Sequence, residues 1–340
     1  MSTTIRKAFV PSFGDHTHIS VVDAEIFPPV AKEVQVKVIY SGMAGADINM
    51  RMGTYPLQKK APLTPGYCLV GRVHINGPGC SKFKTGDLVV CLSIYDAEAE
   101  LVNLPEKFVI AAPENMDLQQ IVPMVLDWNT AYGMVNRGAK VVKGQRVFIH
   151  GLSGAVGYAT LKFCLMNGAE VYGTASESNH AALREAGAVP FSYSNKDWIM
   201  AMNTIGGAHA VFDALGFESF DESWSILAPE GGHLVAYGAN LNMLNGDEKT
   251  KSAVPSITKL LARNLVPFCP HKSSFYYIAR DSKYFESELQ ACFTLVQEGK
   301  ITAPIKKVWN LEEIQEAHRT WTQTKGIGSV LIKIADDVKV

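Results

Sequence analysis

The stretch that most restricts the fold reads Arg146-Val-Phe-Ile-His-Gly151-Leu-Ser-Gly154-Ala-Val-Gly157, then a helix-like run, then Glu170-Val-Tyr-Gly-Thr-Ala-Ser176. An apolar strand enters glycines spaced three apart, and the chain leaves them as a helix with a small, apolar inner face. That is the strand–turn–helix–strand unit that holds a dinucleotide pyrophosphate. Gly151 permits the tight turn, Gly154 lets the backbone approach the phosphates, and Gly157 lets helix and strand pack closely. Ser153, Ala155 and Val156 complete the loop, whose exposed N–H groups at the helix start attract negative charge. The glycine spacing alone also marks ordinary turns; the flanking strand and helix carry the assignment.

Around this unit the chain keeps a strand–helix rhythm. Strands are expected near 146–150, 170–175, 189–193, 209–214 and 232–237, with helices near 155–167, 178–186, 196–204 and 219–227. This predicts an α/β, doubly wound parallel sheet of the Rossmann kind. Residues 1 to about 120 read differently, as short strands broken by Gly and Pro. Val34-Gln-Val-Lys-Val-Ile-Tyr40 alternates apolar and polar, and Gly77-Pro78-Gly79 and Thr85-Gly86 punctuate further strands. The result is a β-rich barrel. A helical pattern spans 117–137 with Asp117 as N-cap, and further helices lie near 281–298 and 311–323. The last strand, Ser329-Val-Leu-Ile-Lys-Ile334, has no βαβ partner left and is expected to return to the first domain. The expected division is a barrel domain at 1–124 and 306–340 and a nucleotide domain at 125–305. Residues 240–254, rich in Asn, Gly, Asp, Lys and Ser, are a candidate lid.

Charge is balanced, 32 basic against 33 acidic residues, which gives no steering toward nucleic acid or anionic membranes. No apolar run approaches the ~18–20 residues needed to span a bilayer. The N-terminus lacks the apolar core of a secretory signal, so the cytoplasm is the expected compartment. Six scattered cysteines without a Cys-x-x-Cys read as free thiols.

Three further segments carry a resemblance. Ser41-Gly-Met-Ala-Gly-Ala-Asp47, Thr64-Pro-Gly-Tyr-Cys-Leu-Val-Gly71 and Phe83-Lys-Thr-Gly-Asp-Leu-Val89, with the glycine turn, resemble the ordered motifs of the medium-chain dehydrogenase/reductase superfamily. Within it the chain is most similar to the zinc-free quinone oxidoreductase branch, which includes zeta-crystallin and the vesicle amine transport protein 1-like group. Gly173-Thr-Ala-Ser-Glu-Ser-Asn-His-Ala-Ala-Leu-Arg184, Leu234-Val-Ala-Tyr-Gly-Ala239 and Ile305-Lys-Lys-Val-Trp-Asn310 carry that likeness. The resemblance implies a GroES-like barrel that takes the substrate, a Rossmann domain that takes a nicotinamide cofactor, and a homodimer joined through the nucleotide domain's sheet edge. Zinc-dependent members carry Cys and His where this chain has Ala44 and Tyr67. An alanine methyl cannot ligate a metal, and no metal site is expected.

The second strand of the unit ends in Thr174 and Ser176, with no acid at its tip to repel a 2′-phosphate. Glu177 competes for that role but is expected past the tip, in solvent. The resemblance implies NADPH, with Ser176 and Tyr193 near the phosphate. Asn179 stands where relatives often carry lysine, and Lys196 or Arg184 are candidate replacements. It further implies cofactor contacts from Asp47, Thr130, Leu215, Tyr237, Gly238, Phe268, Cys269 and Ser329.

Without a metal to polarise an alcohol, the natural task is hydride donation to an acceptor that is already electrophilic. A quinone and the β-carbon of an α,β-unsaturated carbonyl both qualify. The negative charge that builds on oxygen needs a donor or a proton. Candidates are Asp127, whose pKa would rise beside a ring and away from water, and Tyr67, with Asn49 and Tyr55 in the same pocket. Asp47 is expected to bond backbone amides beside the cleft. His150 is expected to be a packed strand-end residue rather than a base. Three other readings share these residues: an enoyl reductase of a polyketide or other secondary-metabolite pathway, a nucleotide-binding protein with little turnover, and a redox-neutral isomerase or cyclase.

Overall fold

The computed structural model describes residues 1–245 and 252–338, so 246–251 of the candidate lid lie outside the described residues. Packing divides the chain into two compact units. One comprises Met1–Asn129, Ala279–Lys325 and Ser329–Val340; the other comprises Thr130–Ile278 and Gly326–Gly328.

The first unit opens with an antiparallel pair, β1 (Thr3–Phe9) and β2 (Ser20–Ile26). Its main sheet is built on β3 (Glu33–Met43), β4 (Cys68–Asn76), β5 (Leu88–Cys91), β6 (Leu101–Pro105) and β7 (Val109–Ala111). Every residue of β4 from Cys68 to Val73 is buried, so the strand is covered on both faces and shows no polar alternation. Between β3 and β4 the chain forms a helix, Gly45–Met52, that the sequence reading did not foresee.

The second unit is a six-stranded parallel sheet of β8 (Arg146–Ile149), β9 (Glu170–Ala175), β10 (Ala188–Ser192), β11 (Ala210–Asp213), β12 (His233–Ala236) and β13 (Lys272–Phe275). The strands lie in the order β10-β9-β8-β11-β12-β13. The order reverses between β8 and β11, which makes the carboxyl ends of those two strands the topological switch point. Phe148, Val211 and Leu234, from three neighbouring strands, are fully buried with Met202 and Trp198 in one core cluster. Burial of each large side chain of this kind contributes roughly 1.5–3 kcal/mol.

The chain then returns to the first unit with β14 (Ile305–Asn310) and β15 (Ser329–Lys333). β15 pairs antiparallel with β3, from Val330 opposite Met43 to Lys333 opposite Tyr40, as the unpartnered apolar strand at the C-terminal end implied. The helix Phe285–Gln297, expected in the nucleotide domain, falls in the first unit instead and packs on residues 124–128. Asn129 Nδ2 donates to Phe285 O at 3.2 Å there.

The helical stretch begins as expected, with Asp117 accepting from the Gln119 N–H at 2.9 Å. It is not one regular helix. Pro123 ends an α-helix begun at Leu118 and supplies no N–H to the ladder; Met124–Trp128 then adopts the wider π geometry, as does Gly133–Ala139. Asp127 sits in the first of these wide turns. Among the described residues no helix is long and apolar enough to cross a membrane.

Candidate functional site

In the second unit the glycine turn follows β8 directly. Gly151 has φ +74°, the left-handed backbone a side chain resists, whereas space around it is open. A Cβ on Gly157 would lie 2.1 Å from Gly151 O, so helix and turn touch only because that methyl is missing. Gly154 caps the helix Ala155–Met166 without a side chain, which leaves the N–H groups of Ala155, Val156 and Gly157 at the helix start, where an anion is favoured. Gly328 N–H donates to Ser153 O at 3.0 Å, and Gly328 bridges Gly154, which fixes the loop's outer rim.

The tips of the neighbouring strands complete this half. Asn179 Nδ2 donates to Ser176 Oγ at 3.0 Å, Glu177 is exposed two residues beyond β9, and Tyr193 lies exposed just past β10. Lys196 is ion-paired with Glu222, so it is already neutralised within the unit. Leu215 follows β11 and Tyr237–Gly238 follows β12; Tyr237 N–H donates to Asp213 O at 2.9 Å, which ties the two turns together. Two expectations need correction. Thr174 does not present its hydroxyl at the tip: Oγ1 is buried, accepts the Gly151 N–H at 3.3 Å and faces His150 Nδ1 at 3.3 Å. Phe268 and Cys269 precede β13, which runs parallel to β12, so they lie at the amino-terminal edge of the sheet. Ligands of such sheets sit at the opposite, carboxyl ends, where Tyr276 and Tyr277 follow β13. The Phe268 ring is fully exposed. Thr130, by contrast, is buried with Oγ1 lacking a partner among the described residues.

The first unit holds the titratable groups. Asp127 Oδ2 accepts from Ser329 Oγ–H at 2.7 Å, joining residues the sequence reading had assigned to separate roles. Burial, opposed by this hydrogen bond and reinforced by Asp47, pushes the Asp127 carboxyl up to about 7. The phenols of Tyr55 and Tyr67 share a 2.6 Å hydrogen bond, and the Tyr67 ring is buried. Asn49 Oδ1 accepts from Thr54 Oγ1 at 3.0 Å and helps close the turn after the helix Gly45–Met52. Asp47 is spent on backbone: Oδ2 accepts from Ala44 N–H at 2.8 Å and Oδ1 from Gly66 N–H at 3.0 Å. It is therefore a brace for the 44–47 and 66–67 segments and not a cofactor contact. Burial raises it to about 6, with those amides opposing.

One group escaped the sequence reading altogether. Glu98 is completely buried, and neither carboxyl oxygen has a partner among the described residues. Burial first, then the neighbouring Asp47 charge, raises its pKa well above the ordinary value, so the native protein holds a proton there more tightly than an unfolded chain does. An unfolded chain ionises it from near pH 4.5. From that pH upward the native state binds the extra proton, and stability falls as pH rises. Glu98→Gln removes that slope. Its melting temperature should match the parent near about pH 4.5 and exceed it by several degrees near about pH 8, read by thermal unfolding at both values.

Comparison with known proteins agrees with the fold. The family "Alcohol dehydrogenase GroES-like domain" matches residues 30–114, and "Zinc-binding dehydrogenase" matches 185–332. The synaptic vesicle membrane protein VAT-1 homolog of Danio rerio is 27% identical over 97% of this chain and 70% of its own length. A probable quinone oxidoreductase of Schizosaccharomyces pombe is 26% identical over 97% of both chains. Three solved structures, each at 22% identity, superpose with a TM-score of 0.83: JamJ enoyl reductase, the quinone oxidoreductase of Coxiella burnetii, and mycobacterial Rv1454c complexed with NADPH. The first two cover 98% of this chain and the third 97%, and all three are covered completely. From the two matched families, these relatives and the shared fold, the chain belongs to the medium-chain dehydrogenase/reductase superfamily, in its quinone oxidoreductase-like branch.

Proposed function

We propose that the protein is a zinc-independent, NADPH-dependent reductase of a quinone or of an α,β-unsaturated carbonyl. The observation that carries this reading lies in the first unit. A buried carboxyl that can hold a proton near neutral pH, Asp127 on Ser329, accompanies Ala44 and Tyr67 at the positions where zinc-dependent relatives place ligands. The alanine offers no donor atom, and the Tyr67 oxygen is engaged by Tyr55, so these residues do not fit a catalytic zinc.

The second unit fits a dinucleotide. The first-turn N–H groups of the helix starting at Ala155 suit the pyrophosphate, the side-chain-free Gly154 keeps that approach open, and the unpartnered Thr130 hydroxyl suits the nicotinamide end. Neutral Ser176 and Asn179, with Glu177 turned to solvent, favour a 2′-phosphate over a bare ribose. Reduced nicotinamide supplies a hydride when bound. The chain's own part is to hold the acid proton: Ser329 Oγ–H occupies Oδ2 of Asp127, which leaves Oδ1 to carry the proton for a developing oxyanion. Without a Lewis acid, the acceptor must bring its own electron deficiency.

The test is an assay of purified protein with NADPH and NADH against 1,2-naphthoquinone and a conjugated polyenone, before and after chelator dialysis. We expect NADPH oxidation, at least about tenfold more efficient than with NADH and insensitive to the chelator. Tight NADPH binding without consumption by either acceptor, or activity restored only by zinc, overturns the reading. A strong preference for the polyenone points to an enoyl reductase, in keeping with the fold shared with JamJ.

The six cysteines are unpaired, which suits the reducing cytoplasm. We also take the protein to be a homodimer through β13, the last strand of the parallel sheet, beside which Leu265, Val266 and Phe268 expose apolar side chains. Light scattering should report twice the chain mass, and Phe268→Glu should yield monomer.

A further inference from the structure

Beneath the glycine turn, hydrogen bonds link three strand tips at the switch point. Asp213, buried at the end of β11, accepts from Leu215 N–H at 2.7 Å and Gly216 N–H at 3.3 Å through Oδ1. Its Oδ2 accepts from Ser219 Oγ–H at 2.7 Å and Ser223 Oγ–H at 2.6 Å. A carboxylate only accepts, so each serine commits its single proton to it. Ser223 therefore has only lone pairs to offer His150, whose Nε2 lies 3.0 Å away, and Nε2 must carry the imidazole proton. Burial keeps the ring neutral, against the pull of Asp213. Nδ1 is then bare and accepts from Thr174 Oγ1 at 3.3 Å, and Thr174 Oγ1 accepts the Gly151 N–H at 3.3 Å. Every donor in the run points from the turn toward Asp213. The His150 ring also stands edge-on to the stacked pair Phe148 and Trp198, each with its centroid 5.1 Å away.

We infer that Asp213, Ser223 and His150 are positioning residues that aim the Gly151 peptide, and with it the pyrophosphate-binding turn, through this one-directional run. The inference rests on the proposed cofactor reading, and it makes a sharper claim: His150 is a fixed Nε2–H tautomer that relays orientation and exchanges no proton in catalysis.

Nitrogen-15 NMR of histidine-labelled protein should show His150 as a single Nε2–H tautomer, unchanged between about pH 6 and about pH 8. Ser223→Ala, which cuts the run with little change of volume, should give mixed tautomers. It should weaken NADPH binding about tenfold while leaving turnover at saturating NADPH unchanged. His150→Gln can donate to Ser223 and accept from Thr174, so it should bind within about twofold of the parent; His150→Leu should lose about tenfold. A Nδ1–H tautomer in the parent, or parental NADPH affinity in both Ser223→Ala and His150→Leu, overturns the inference. The tautomer needs no cofactor to be read. A protein that fails to bind NADPH thus defeats the functional reading, while the spectrum judges the hydrogen-bond run separately.

Discussion

Asp127→Asn is expected to lower turnover by about 10²–10⁴-fold, the range carried by one positioned general acid. The parent's kcat/KM should fall as pH rises through about 7, because burial holds the Asp127 carboxyl near that value and only its neutral form can give a proton. In the variant that alkaline limb should vanish. Asparagine keeps the shape and still accepts from Ser329 Oγ–H through its amide oxygen, so loss of rate would not reflect a lost contact. Stability should move the other way. The native parent holds a proton on Asp127 more tightly than the unfolded chain, so this group's contribution to stability declines between about pH 4 and about pH 7, and Asn removes that share of the decline while Glu98 keeps its own. A variant that is less active yet more stable near neutral pH separates chemistry from folding in a single preparation. Tyr67→Phe is the comparison: a parental rate and limb in Asp127→Asn, with both lost in Tyr67→Phe, would transfer the donor role to the phenol.

The parts of this molecule that were legible in the sequence are those written in local pattern. The glycine turn, the strands that flank it and the C-terminal strand that returns to β3 all follow from period and punctuation, because apolar strands and positive-φ glycines leave a signature within a few residues. What stayed hidden depends on distant partners. Ser329 and Asp127 are 202 positions apart, and nothing local shows that one hydroxyl meets the other's carboxyl. Thr174 looked like a strand-tip hydroxyl; its commitment to Gly151 and His150 appears only once β8 and β9 lie side by side. The resemblance puts Phe268–Cys269 against the cofactor, and nothing local corrects it, because β13, three of whose four residues are serine or lysine, carries no apolar run to announce where the strand begins. Glu98 was invisible for a general reason. The middle acid of Asp96-Ala-Glu98-Ala-Glu100 reads as surface like its neighbours, and its burial emerges only once this segment packs against Gly66, where a Cβ would come within 2.4 Å of Glu98 N.

Gly157→Ala is the second large effect, and its neighbours make it a controlled experiment. The added Cβ would lie 2.1 Å from Gly151 O, 2.9 Å from Gly151 C and 3.4 Å from Leu152 Cα. All three are backbone atoms and cannot swing aside, so the helix start must move off the turn by about 1 Å, and overpacking of this kind costs roughly 1–3 kcal/mol. A displacement of that size in a binding constellation is worth about 10²-fold, so NADPH affinity should fall by about that factor along with the midpoint of urea unfolding. Gly154→Ala should behave differently. Gly154 has φ −71°, acceptable to alanine, and its Cβ would meet just one atom, Gly151 O at 3.3 Å. The fold should therefore survive with an unchanged unfolding midpoint, while the methyl stands where the phosphates must approach and binding drops by about tenfold or more. Gly151→Ala supplies the third case: open space but φ +74°, so a strain cost of about 1 kcal/mol with no steric block. Fluorescence titration and urea unfolding of the three variants thus assign each glycine a separate physical job. If Gly154→Ala binds NADPH as tightly as the parent, the pyrophosphate does not rest on this turn, and the cofactor assignment built on it fails.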